Sequence, residues 1–108
     1  MNWKVQFEHE LEQAQKARQA GNEGMARVCA RRAVGALVGA YLERNHLPDV
    51  GPSAYDRLRY LAAYPELDPH IQETLTHFLS RVTPDHQLPI DADLIGEARW
   101  LAEQLIEP

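Results

Sequence analysis

Cysteine is almost missing from this chain: Cys29 is the only one in 108 residues, so no disulfide can form within it. Cys29 falls inside the most apolar stretch, where a small buried hydrophobe is the expected role rather than a reactive thiol. Long hydrophobic runs are missing too. The longest, residues 33–42, is bounded by Arg31, Arg32, Glu43 and Arg44 and falls well short of the ~20 apolar residues a membrane span needs. Positive charge is in deficit, with 11 Lys and Arg against 16 Asp and Glu and a net charge of −5. That balance gives no general pull towards nucleic acid or an anionic membrane, so any phosphate contact must come from a local basic cluster. The first residues, MNWKVQFEHELEQ, carry acids and no apolar core, unlike a signal peptide, and the expected compartment is the cytoplasm. No alternating strand pattern and no Asn-Gly hairpin turn occurs, which excludes an all-β or α/β reading.

What remains is helix. The stretch GMARVCARRAVGALVGAYLERN, residues 24–45, begins amphipathic and becomes small and apolar on every side from residue 33 to residue 42. A helix with no solvent face belongs in the middle of a bundle. Gly35 and Gly39 lie four apart, hence on one face, and each costs about 1 kcal/mol against alanine in a helix. A close approach by another backbone is the expected compensation, either at a helix crossing within the chain or at a seam between two copies, to which an exposed Trp3 or Trp100 would add apolar area.

Before that stretch, Trp3, Phe7, Leu11, Ala14 and Ala17 form the apolar stripe of an amphipathic helix, and Glu12 stands four before Lys16. Gly21 closes this helix and Asn22 caps the next, and so short a turn predicts an antiparallel hairpin. After a loop with Pro48, Gly51 and Pro52, Ser53 caps a third helix that turns Tyr55, Leu58, Leu61 and Ala62 inward and ends before Pro65. Asp68-Pro69 starts a fourth, with Ile71, Leu75, Phe78, Leu79 and Val82 apolar. A loop follows over residues 81–89, and Asp91 caps a last helix with Leu94, Ile95, Ala98, Leu101, Ala102 and Leu105 at helical spacing. The prediction is one all-α domain over residues 1–108, an up-and-down bundle of four to five helices.

The order of these features resembles the HEPN family, small helical domains of prokaryotes often encoded beside minimal nucleotidyltransferases. Four stretches carry the resemblance: the turn Ala20-Gly21-Asn22-Glu23-Gly24; the small-residue helix from Ala26 through Val34, with Ala40-Tyr41-Leu42 further on; Asp56-Arg57-Leu58-Arg59-Tyr60-Leu61; and the turn Arg81-Val82-Thr83-Pro84-Asp85 before the last helix. Tyr55 departs from the pattern, standing where many members have histidine before Asp-Leu. The resemblance implies a helical bundle, a homodimer, and a separately encoded nucleotidyltransferase, a nucleotide or RNA as partner. It also brings toxin–antitoxin systems into range. The chain has no Gly-rich phosphate loop and no Gly-Ser with an Asp-x-Asp metal pair, so it holds no transferase half, and no cofactor or metal is expected.

Two groups of residues are candidates for function. Arg27, Arg31 and Arg32, with Arg57 and Arg59 on the next helix, are the strongest local basic cluster. Interleaved Tyr55, Tyr60 and Tyr64 offer rings to stack on bases, so Arg27, Arg31, Arg57, Arg59 and Tyr60 are candidate nucleotide or RNA contacts. The competing reading pairs these arginines with the surplus acids of neighbouring helices. Catalytic HEPN members are ribonucleases with an Arg-x4-6-His motif, and Arg81 and His86 match that spacing as catalytic candidates. Pro84 between them breaks the helical turn that would aim both at one point. His70, Glu73, Thr74, His77 and Arg81 make a polar stripe, expected as a solvated face. Its histidines lie about 10 Å apart along the axis, too far to share one ion. The reading carried forward is a non-catalytic HEPN-like binding module; the alternatives are a metal-independent ribonuclease and a purely structural bundle.

Overall fold

The small apolar middle of the chain becomes the hub of an all-α bundle. The computed structural model describes residues 2–80 and 93–106, which form α1 (Trp3–Gln19), α2 (Glu23–Arg44), α3 (Ala54–Ala62), α4 (Pro69–Leu79) and α5 (Leu94–Leu105). Helix α2 packs against each of the other four. Six consecutive residues, Ala33, Val34, Gly35, Ala36, Leu37 and Val38, are buried, and at about 100° per residue six positions sweep every side of the helix. Around this hub sit Phe7 and Leu11 of α1, Leu58 and Leu61 of α3, Leu75 and Phe78 of α4, and Ile95 and Leu101 of α5. Trp3 and Trp100 are half-buried against the same core rather than displayed at the surface.

Every helix opens on a side-chain cap. Asn2, Asn22, Ser53, Asp68 and Asp93 each accept a backbone N–H of the first turn, a contact typically worth about 1 kcal/mol. The cap of α5 corrects the sequence reading: it is Asp93, not Asp91. Asp93 stands directly before Leu94, accepts the Gly96 N–H, and also takes the guanidinium of Arg18 from α1 at 3.0 Å. That second contact joins residues 75 apart and leaves no trace in local sequence.

The first two helices close in the same way with different residues. At the end of α1 the N–H of Asn22 donates to the Ala17 carbonyl and that of Gly21 to Arg18, with Gly21 at φ +78°. At the end of α2 the N–H of Leu47 donates to Leu42 and that of His46 to Glu43, with His46 at φ 55°. These are paired C-terminal turns in which a left-handed residue, usually glycine, lets the chain reverse. Glycine fills that position once; histidine fills it the second time.

Two further expectations change. Tyr55 does not turn inward with Leu58 and Leu61 but is 37% exposed, because Ala54 beside it is the residue that meets α2. The polar stripe of α4 is only partly a solvated face: His70 and Glu73 are exposed, Arg81 lies outside the described residues, and the other two are drawn into packing. Thr74 is buried with its hydroxyl donating to the His70 carbonyl, and His77 Nδ1 lies 2.9 Å from Glu97 of α5. His70 rests on the ring of Trp100, with centroids 4.8 Å apart. The stripe thus seats α5. Among the described residues no helix is long and apolar enough to cross a membrane.

Candidate anion-binding cleft

The two glycines of α2 create the surface on which the basic residues meet. At Gly35 an added Cβ would stand 2.5 Å from the Cβ and 2.9 Å from the Cα of Ala54, so α3 begins in direct contact with the α2 backbone. At Gly39 an added Cβ would stand 2.5 Å from Nη1 of Arg57. The space that Gly39 leaves open admits the guanidinium of Arg57 to the carbonyl of Gly35, which Nη1 reaches at 3.1 Å. Nε of Arg57 donates to the Gly51 carbonyl at 2.8 Å. One side chain therefore ties α3, the α2–α3 loop and α2 together. Both glycines are accounted for by a helix crossing within the chain.

Beside this crossing lies a cleft of about 470 Å³, walled by Arg31, Arg32, Tyr55 and Arg57, with Gln6 of α1 on its other side. Three arginines line it, and among the described residues no acid does. Nor does any described acid form an ion pair with Arg31, Arg32 or Arg57, whereas Arg18 pairs with Glu23 and Asp93, and Arg99 with Glu8. Those pairs leave the three arginines of the cleft without an acidic partner among the described residues.

The electrostatics follow from that isolation. Arg31 is half-buried, and its pKa is lowered first by burial and then by the neighbouring charges of Arg27 and Arg32, with Tyr55 opposing. An arginine keeps its proton throughout the physiological range, so the lowered value marks a site where positive charges are crowded and poorly hydrated. An anion placed there relieves the crowding. A guanidinium also presents planar paired donors that match phosphate oxygens.

Of the candidates named from sequence, Arg31 and Arg57 come together in this cleft. Arg27 stands one turn from Arg31 and contributes charge to it, but its Nε is buried and finds no hydrogen-bond partner among the described residues. Arg59 is exposed, and two positions from Arg57 on a helix it points to another side. Tyr60 packs on the core beside Tyr64, with ring centroids 6.4 Å apart, and does not line the cleft. Arg32 and Tyr55 belong to the wall instead, and Gln6 enters it from α1 with no local signal at all. Arg81 and His86 lie outside the described residues. Among the described residues no group of three or more His, Cys, Asp or Glu converges as metal ligands would.

Compared with protein-family models, with curated proteins and with solved structures, the chain matches none.

Proposed function

We propose that this chain is a binding module for a phosphate-bearing ligand of the nucleotide or RNA type, held in the cleft of Arg31, Arg32 and Arg57. The observation that carries the reading is the meeting of three arginines on one cleft whose described wall contains no acid. Charge-assisted hydrogen bonds from arginine to phosphate are the strong kind, and the exposed Tyr55 at the rim offers a ring to a base. The resemblance to HEPN domains, carried by the turn and helix stretches of the sequence, agrees with a helical bundle that serves a nucleotide or a nucleotidyltransferase.

The test is calorimetric titration of the purified protein with ATP and with a single-stranded RNA oligomer, beside the double variant Arg31→Ala/Arg32→Ala. Binding by the parent chain that weakens at least about tenfold in the folded double variant supports the cleft. Equal affinity in both proteins removes it. Cleavage of the RNA during the titration would move the reading to the ribonuclease alternative.

A further inference from the structure

Beyond Arg57 the cleft does not end. Two further recesses share its wall: one of about 330 Å³ bordered by Trp3, Glu43 and Arg57, and one of about 200 Å³ bordered by Glu43, Asp49 and Arg57. On α2 the positions Arg32, Ala36, Gly39 and Glu43 recur at four, three and four residues, which places them on one face. The three recesses are strung along that face, from the arginines at one end to Glu43 about 16 Å away at 1.5 Å per residue. The surface is therefore bipolar: guanidinium groups at the start of the stripe, carboxylates at its end, and the anchored Arg57 between.

A strand of RNA or DNA carries a negative charge at every nucleotide, so a chain continuing along this groove would bring phosphates against Glu43 and Asp49. A free nucleotide carries its charge at one end only, and its sugar hydroxyls donate hydrogen bonds that a carboxylate accepts well. We infer that the ligand is a free ribonucleoside polyphosphate, its phosphates on Arg31 and Arg32 and its ribose hydroxyls donating to Glu43, with Trp3 as an apolar wall for the base. This inference rests on the phosphate-binding reading of the cleft and adds to it the ligand class and the polarity of binding. Glu43 is exposed and, among the described residues, its carboxylate has no hydrogen-bond or ion-pair partner, so it is free to accept. One oxygen of Asp49 already takes the Gly51 N–H at 2.9 Å, which leaves Glu43 as the principal acceptor.

The sign of one substitution separates this from general anion binding. Removing a negative charge beside a cationic site raises its affinity for any anion that does not touch that charge. Glu43→Gln is therefore expected to weaken ATP at least about fivefold while leaving inorganic tripolyphosphate unchanged or tighter. In the parent chain ATP is expected to bind more tightly than tripolyphosphate and than a ten-residue oligoriboadenylate. The titrations are made on the whole 108-residue chain at fixed salt, with helical content of each variant checked by circular dichroism. Stronger ATP binding in Glu43→Gln, or an oligoriboadenylate that binds more tightly than ATP, overturns the inference while leaving the cleft as a phosphate site. If Arg31→Ala/Arg32→Ala binds every probe as the parent does, or the parent binds none, the phosphate reading falls and this inference with it.

Discussion

Arg57 lies flat across Gly39, filling with a guanidinium the space that a methyl group would occupy, while four residues earlier Gly35 receives the backbone of Ala54. The same residue type at the same helical spacing thus does two different things. One glycine admits a backbone, the other admits a charge.

Alanine substitutions separate the two. Gly35→Ala forces a Cβ against the Cα of Ala54, and the backbone of α3 must move; overpacking of about 1–3 kcal/mol outweighs the ~1 kcal/mol of helix propensity gained, so a net loss of stability is expected. Gly39→Ala meets only the tip of a flexible side chain, which can swing aside. Its stability is expected within about 1 kcal/mol of the parent, with anion affinity reduced because Arg57 leaves its carbonyls. Urea denaturation of both variants, with an ATP titration of the second, decides it; equal destabilisation by both would contradict the contacts described.

His46 holds a backbone conformation that costs an ordinary L-residue about 1 kcal/mol and glycine almost nothing. The variant His46→Gly is expected to raise stability by up to roughly that amount, less the greater freedom glycine gives the unfolded chain. A lower urea midpoint would mean that the imidazole makes a contact outweighing the strain.

The Cys29 thiol is held above its ordinary pKa, first by burial and next by Glu10, with Arg32 opposing. Since the thiolate is the reactive form, labelling by a disulfide reagent is expected to be slow in the native protein and fast in urea. Rapid labelling of the folded chain at neutral pH would show that α2 opens far more readily than its packing implies.

Asp93 has its pKa lowered, chiefly by the hydrogen bond from Arg18 and then by the Gly96 N–H. A carboxylate depressed in the folded state stabilises it fully above the ordinary aspartate value of about 4. That contribution fades as the pH falls from there through the lower native value, because the unfolded chain takes up its proton first. Asp93→Asn keeps a capping side chain but loses the charge, so its stability is expected to fall less steeply on acidification than that of the parent. Identical acid limbs would show that the Arg18 contact is too exposed to matter.

The all-α architecture was legible because its determinants are local. Stripes at helical spacing, three of the five caps (Asn22, Ser53 and Asp68), and the burial of residues 33–38 all follow from residues within a turn or two of one another. The compensation expected at Gly35 and Gly39 was legible as well, though not the identity of what fills each gap. The local pattern points to Asp91 as the last cap, while the Arg18 contact that fastens Asp93 comes from α1, and no pattern near Gln6 announces that it will line the cleft. The basic cluster was visible as composition along two helices. Which arginines share a wall depends on how α3 meets α2, and the close Gly35–Ala54 contact is part of that meeting.

The tether of Arg57 also bears on how quickly and tightly a ligand is held. A free arginine gives up about 2 kcal/mol of rotamer entropy when it is immobilised on a ligand. Here that loss is borne at folding, since the Gly51 and Gly35 carbonyls fix the side chain before anything binds. The loop that carries Gly51 thereby becomes a tuning element for the proposed site: a substitution there that shifts one carbonyl would loosen Arg57 and shorten the residence of an anion in the cleft.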